Sequence, residues 1–494
     1  MRYTSTRDSK IDITAAQAVA KGLSDDGGLF LPREIPKLAP GEVEELARLD
    51  YVGRAERILT KFLTEEGGWA PGEVHACAKN AYGATFRDSA IAPVSALDGN
   101  TAVLELYHGP TCAFKDMALQ LLPHLLVASA KKIKDEREIV ILVATSGDTG
   151  KAALEGFQDV AGTKIIVFYP SEGVSPVQKA QMATQEGDNV RVVAVRGNFD
   201  GTQTGVKKIF TCAEIKSQMT AKGQVLSSAN SINWGRLVPQ IVYYVSAYCD
   251  LLNAGKIKPN EAINFVVPTG NFGNILAGYY AKAMGLPVAK LICASNRNKI
   301  LTDFLTTGVY DHRRDFYTTS SPSMDILISS NLERLLYLAS GRDDQFINKC
   351  MNELSTTGKY EISAQLQQAL QKDFAAGCCD EAQTAAAIQK TWQTHGFLSD
   401  THTAVGFHVL EEYRTQTGDD RYSMVVATAS PYKFAASVLE AVTGSSPANE
   451  FDALAALERV TGVACPPPLK SLDQKPVRFD ALCDANEMKK HVMW

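Results

Sequence analysis

Two loops and one lysine in this chain have the residue types and spacing that chemistry needs. In "ELYHGPTCAFKDMALQ", Glu105 to Gln120, Lys115 stands where a strand-like apolar run, Ala102 to Tyr107, gives way to Met117 to Ala130, which is apolar nearly all the way round. Segments of that kind lie inside a domain. An ammonium at such a junction must be paired, lowered in proton affinity or used covalently. Most of the 50 Lys and Arg residues are expected to be solvated surface charges. Lys115 differs from them in its surroundings. The first loop, "VPTGNFGNILAGYYAKAMG" from Val267 to Gly285, sets Gly270, Asn271, Phe272, Gly273 and Asn274 at the entrance to a helix. Glycines let the backbone approach an anion, and the amides of a first helical turn point at it. A compact phosphate fits there, although a plain tight turn would use the same glycines.

The second loop, "ATSGDTGKAALEGF" from Ala144 to Phe157, superficially resembles a nucleotide-binding loop, but Thr145 stands where such a loop needs Gly and Ala152 where it needs Ser or Thr. A nucleoside triphosphatase is therefore disfavoured, and neither loop has the G-x-G-x-x-G dinucleotide pattern. A lysine able to form an imine beside a phosphate-binding helix start is what a pyridoxal phosphate site requires. The remaining need is a partner for the pyridine nitrogen. At the end of the last strong strand, "MVVATASPYKF" offers the hydroxyls of Thr428 and Ser430.

These residues need a scaffold that brings strand ends together. Strand-like runs at Glu138 to Ala144, Lys164 to Tyr169, Asn189 to Val195, Ile263 to Pro268 and Leu291 to Ser295 alternate with helical patterns such as Pro176 to Glu186 and Arg236 to Leu252. Continuously apolar strands in such alternation predict an α/β fold with mostly parallel, helix-covered sheets, whose ligands bind beyond the carboxyl ends of the strands. Residues 1–95 read as a separate N-terminal unit, 96–225 as a first α/β lobe with the lysine and the TSGDTG loop, and 226–445 as a second lobe with the phosphate loop. A helical insertion is expected at about 331–394, and 446–494 as a linker and tail, with "CPPPLK" extended.

At 494 residues, 45% apolar and with a net charge of −5, the composition is that of a soluble globular protein, for which length alone suggests about three domains. No basic stripe points to nucleic acid, and no apolar stretch approaches a membrane span. The start "MRYTSTRDSK" lacks the apolar core of a signal peptide, so a cytosolic location is expected. The ten cysteines form no C-x-x-C pair or zinc-spaced cluster, so no metal site is expected and reduced, mostly buried thiols are.

Several motifs in order resemble those of the threonine synthases of the longer microbial and fungal type, in the tryptophan-synthase-like group, fold type II, of pyridoxal phosphate enzymes. They are "DGGLFLP", "LYHGPTCAFKD", "ATSGDTG", "NSINWGR" at Asn230 to Arg236, "VPTGNFGN" and "SPSMDI" at Ser321. The resemblance spans roughly residues 1–440. It implies that Lys115 holds pyridoxal 5'-phosphate as a Schiff base, that Gly270, Asn271, Phe272 and Gly273 hold its phosphate, and that Thr428 faces the pyridine nitrogen. It implies O-phospho-L-homoserine as substrate, with Ser146 and Thr149 near its carboxylate and Arg236 leading Lys151 and Arg297 as the contact to its phosphate. The role of Asp148 stays open, and oligomeric state is not legible. Two positions depart from the family: Ser430 replaces a common histidine and Asn274 a common aspartate. The alternatives are a related phospholyase acting on phosphorylated amino alcohols and a non-catalytic phosphometabolite-binding protein.

Overall fold

The apolar runs become strands buried along their length, most of them in two parallel sheets. The structure is a computed structural model and describes residues 1–64, 68–145, 147–172, 174–197 and 199–493, the side chains of 199 and 200 excepted. The larger sheet runs in the order Phe374–Cys378, Val288–Ser295, Ile263–Pro268, Ser423–Ala427, Thr101–Glu105 and Val94–Ala96. All its pairings are parallel except that of Val94–Ala96 with Thr101–Glu105. Its central strands, Ile263–Pro268 and Ser423–Ala427, are buried at every position, which is why their sequences show no polar alternation. The smaller sheet is wholly parallel, in the order Leu482–Cys483, Val190–Val195, Thr163–Pro170, Glu138–Ala144 and Gln224–Ser227.

The N-terminal residues form a three-stranded antiparallel sheet, Ile13–Thr14, Arg2–Ser5 and Phe30–Pro32, followed by helices that include Tyr51–Leu63. Their core is continuous with that of the larger sheet. Tyr3 and Phe62 meet Trp234 with ring centroids 5.6 and 5.7 Å apart, and Trp234 meets Tyr280 at 5.3 Å. Trp234 opens the long buried helix Trp234–Asn253, capped by Asn233, whose Oδ1 accepts from the Gly235 N–H at 2.9 Å.

Three features differ from the sequence reading. Thr101–Glu105, at the head of 96–225, pairs with Ser423–Ala427 in the larger sheet, so the chain passes to the smaller sheet only after the lysine turn. The stretch 331–394 has its helices, but also the strands Lys359–Glu361 and Phe374–Cys378, the latter extending the larger sheet beside Val288–Ser295. "FAAGC" lacks the β-branched residues that would mark it as a strand. The proline run at 465 is a turn packed on the core: Pro466 O accepts from the Leu469 and Lys470 N–H groups, and Leu469 is fully buried. Proline's fixed φ suits such a turn as well as an extended linker. The helix Glu450–Thr461 precedes it, and Leu482–Cys483 then adds an edge strand to the smaller sheet. All ten cysteines are free. No helix among the described residues is long and apolar enough to cross a membrane.

Candidate active site

Backbone hydrogen bonds stitch the lysine loop to the segment that follows Ser423–Ala427. Leu106 N–H donates to Ala427 O at 3.0 Å, Phe114 N–H to Thr428 O at 2.7 Å, and Ser430 N–H to Cys112 O at 3.0 Å. Lys115 and Thr428 therefore sit on bonded neighbours at the carboxyl ends of adjacent strands. Lys115 is the residue before the short helix Asp116–Leu119. The turn is clamped by the Asp116 carboxylate, which accepts from the Thr111 N–H at 2.8 Å and the Thr111 hydroxyl at 2.7 Å. Gly109 allows this closeness, because a Cβ there would lie 2.4 Å from Asp116 Oδ2. Burial pushes the Asp116 carboxyl up to about 6. The Lys115 amine is partly buried, with Nζ 4.2 Å from the centre of the Phe114 ring. Burial, then the Arg236 guanidinium, lowers it to about 8, with Lys433 adding to the effect and Asp148 opposing it.

The glycine loop follows strand Ile263–Pro268 and enters the helix Gly273–Met284. Phe272 precedes that helix in a left-handed conformation, φ 63°, and supplies no side-chain cap, so first-turn amides are left for another acceptor. Its ring is buried against Phe374, with centroids 5.8 Å apart. A Cβ on Gly270 would stand 2.6 Å from Ser323 O, whereas one on Gly273 would make an ordinary 3.4 Å contact with Asn331 Nδ2. Ser329 Oγ donates to Gly270 O at 2.8 Å, and Asn331 donates to Asn271 O through its N–H at 3.2 Å and Nδ2 at 3.1 Å. Asn274 is held by the hydroxyls of Tyr243 and Tyr244, which donate to its Oδ1 at 2.6 and 2.7 Å.

Of the other residues singled out, Ser146 lies outside the described residues. Thr149 is partly buried in the first turn of the helix Asp148–Phe157. Arg236 is buried and its charge acts on Lys115; one of its terminal nitrogens donates to Ala229 O at 2.5 Å, while its Nε has no hydrogen-bond partner among the described residues. Burial lowers that guanidinium to about 10. Lys151 is committed elsewhere, to Glu155 Oε2 at 2.7 Å and Gln185 Oε1 at 2.5 Å, and Arg297 is exposed and lies 3.7 Å over the Tyr317 ring. Asp148 is paired with Lys433, whose Nζ lies 2.9 Å from its Oδ1, and accepts from Gln178 Nε2 at 2.8 Å. Burial is the largest influence and works against that carboxylate, yet Lys433, the Gln178 hydrogen bond and His402 together hold Asp148 below the usual range.

The sequence reading passed over Asp400 and His402, which stand beside this centre. His402 Nε2 accepts from the Ser323 N–H at 3.1 Å, so its ring proton sits on Nδ1, 2.8 Å from Asp400 Oδ2. Asp400 also accepts from Thr403 Oγ1, which in turn accepts from the Thr428 N–H at 3.3 Å. The signal was an Asp-x-His step at the start of helix Thr401–Thr417, where Asp400 reads equally well as an ordinary cap.

Three family models match the chain in succession: "Threonine synthase N terminus" over residues 2–82, "Pyridoxal-phosphate dependent enzyme" over 96–429 and "Threonine synthase, C-terminal" over 403–492. The chain belongs to the threonine synthase family. A threonine synthase of Pseudomonas aeruginosa is 40% identical over 448 residues, 91% of this chain and 92% of the relative. The "Threonine synthase-like 1" of Macaca fascicularis is 44% identical over 440 residues, and the match covers 86% of this chain but 58% of that relative's length. Among solved structures, the pyridoxal phosphate-bound threonine synthase of Brucella melitensis superposes with a TM-score of 0.88 at 38% identity, covering 100% of this chain and 99% of the other. The threonine synthase family is of fold type II, and its cofactor is pyridoxal 5'-phosphate. The residues here fit that group: a partly buried amine lowered to about 8, a helix start without a side-chain cap, and a buried Arg236 Nε and Asn274 Nδ2 that lack partners among the described residues.

Proposed function

We propose that this chain converts O-phospho-L-homoserine and water to L-threonine and phosphate. Lys115 carries the cofactor, Gly270, Asn271, Phe272 and Gly273 hold its phosphate, and Thr428 faces its ring nitrogen. When bound, pyridoxal phosphate supplies an aldehyde that takes the substrate amine and an electron sink that acidifies the hydrogens on Cα and Cβ. Once displaced, the Lys115 amine takes the Cα proton, a role that its lowered proton affinity suits. The Thr428 hydroxyl can donate to or accept from the ring nitrogen and need not protonate it, which moderates electron withdrawal along a route with several proton shifts. Ser146 and Thr149 receive the substrate carboxylate through hydroxyls and amides.

The observation that carries this reading is the buried Arg236, whose positive charge acts on Lys115. A buried guanidinium with an unpartnered Nε is costly unless an anion completes it, and its charge is felt at the reactive amine. The γ-phosphate expelled from the substrate is such an anion, and Arg236 stabilises it as it leaves. Incubation with O-phospho-L-homoserine should release phosphate and L-threonine in equal amounts. Phosphate without threonine would support a second reading, in line with the similarity to a relative called threonine synthase-like: elimination from a related phosphorylated amino alcohol. We place the reaction in the cytosol, on a free small-molecule substrate with no nucleic-acid or membrane partner. We also divide the chain near 95, 225 and 445 into an N-terminal unit, two lobes and a tail, with the strand Thr101–Glu105 lent to the sheet of the second lobe and Leu482–Cys483 of the tail to that of the first.

A further inference from the structure

Lys433 is a fully buried amine that the proposed reaction does not use. Its side chain is 0% exposed; Nζ donates to Gln181 Oε1 at 2.9 Å and Thr111 O at 3.0 Å, and lies 2.9 Å from Asp148 Oδ1 in a buried ion pair. These partners come from separate parts of the fold. Thr111 belongs to the lysine loop, and its own N–H and hydroxyl grip Asp116, the residue after Lys115. Asp148 opens the helix that follows the small-sheet strand Glu138–Ala144, while Gln181 lies on the helix Pro176–Ala183 that follows Thr163–Pro170. Lys433 itself comes after Ser423–Ala427 of the larger sheet. One ammonium thus ties the lysine loop to both sheets.

Its charge matters as well as its bonds. The charges that act on Lys115 are those of Arg236, Asp148 and Lys433; Asp148 also feels His402, and the Lys433 charge is felt at Asp116 and Cys112. Asp148 is the member of the trio around Lys115 that favours a protonated lysine, and Lys433 balances it.

We propose that Lys433 and Asp148 are a positioning pair for the cofactor lysine, the ammonium bolting the lysine loop to both sheets and neutralising the buried Asp148 carboxylate with which it is paired. The proposal rests on Lys115 being the cofactor lysine. Two nearly isosteric variants change the charge and keep the acceptor atom. Asp148→Asn retains an Oδ1 for Lys433 and Gln178 but loses the negative charge, whereas Gln181→Glu retains an Oε1 for Lys433 and adds one.

The readout is the pH midpoint for acetylation of Lys115 in the cofactor-free full-length chain, pulsed with acetic anhydride and followed by peptide mass spectrometry. The midpoint should fall by roughly one pH unit in Asp148→Asn, the order expected for one nearby charge, and rise by a smaller amount in Gln181→Glu, whose added charge lies beside Lys433. The double variant should return towards wild type. A pair that only braces the fold would lower thermal stability and leave the midpoints in place. That result, or shifts of the same sign in both single variants, would overturn the proposal. Should one single variant fail to fold, the sign of the other's shift decides, with the double variant as its control. Borohydride reduction of the holoenzyme tests the cofactor attachment separately: a label on another lysine would remove that reading, while the midpoints would still report on the pair.

Discussion

Lys115 combines two things surface lysines lack, an apolar turn around its amine and the cations Arg236 and Lys433 facing it. Lys115→Ala should abolish the visible absorption of bound cofactor and nearly all turnover, whereas Lys151→Ala, removing an amine engaged with Glu155 and Gln185, should keep the absorption. The lowered proton affinity also has a signature in stability. Between about 8 and the ordinary lysine value of roughly 10.4 the unfolded chain binds the proton more tightly than the folded one, so stability rises with pH across that window. Calorimetry of the cofactor-free chain should show the melting temperature of wild type gaining on that of Lys115→Met from pH 8 to 10; a constant difference would contradict the assigned burial. Thr428 is tested by chemistry of the opposite kind. Thr428→Val leaves a ring nitrogen unpaired in a buried site and should weaken cofactor binding by about 1–3 kcal/mol with unchanged products. Thr428→Asp should retain cofactor but favour a protonated ring and yield less threonine per phosphate released. Wild-type product ratios in that variant would shift attention to Ser430.

At the scale of elements, the glycine loop at 270–273 depends on how closely two backbones approach. The segment around Ser323 lies on Gly270, where a Cβ would be 2.6 Å from a carbonyl oxygen that cannot swing away like a side-chain tip. Gly273 has room for a Cβ at 3.4 Å. Gly270→Ala should therefore part the loop from the 321–324 segment and weaken cofactor retention on dialysis, while Gly273→Ala should retain it. Equal retention by both would mean that the Ser323 segment yields freely. The same segment is tied from its other side by the Ser323 N–H bond to His402, so its position is set by contacts beyond its own sequence.

Across the whole molecule, Arg334 joins the N-terminal sheet to the site. It is fully buried and donates to Phe30 O at 2.9 Å, to Ile232 O at 2.5 Å and to Asn331 Oδ1; Asn331 in turn holds Asn271 O. Arg334→Met should strand the buried Phe30 carbonyl and the partly buried Ile232 carbonyl, cost roughly 3 kcal/mol, and reduce thermal stability and cofactor retention together. Retained cofactor in a destabilised variant would argue that the N-terminal sheet only packs against the site. Much of this protein was legible in the sequence because its signals are local. Continuous apolar runs marked the buried parallel strands, and glycines before a helix marked a helix start without a side-chain cap. A lysine between a buried strand and a buried helix marked an amine whose proton affinity burial lowers. These properties belong to contiguous residues and follow from backbone sterics and hydrophobic patterning. What the fold alone decided are the partnerships. Thr101–Glu105 joined the larger sheet, Asp148 found Lys433, and Asp400 came to stand behind Thr428. Long crossovers between parallel strands separate partners in sequence, and a lone Lys or Asp reads as a solvated charge until packing removes it from water.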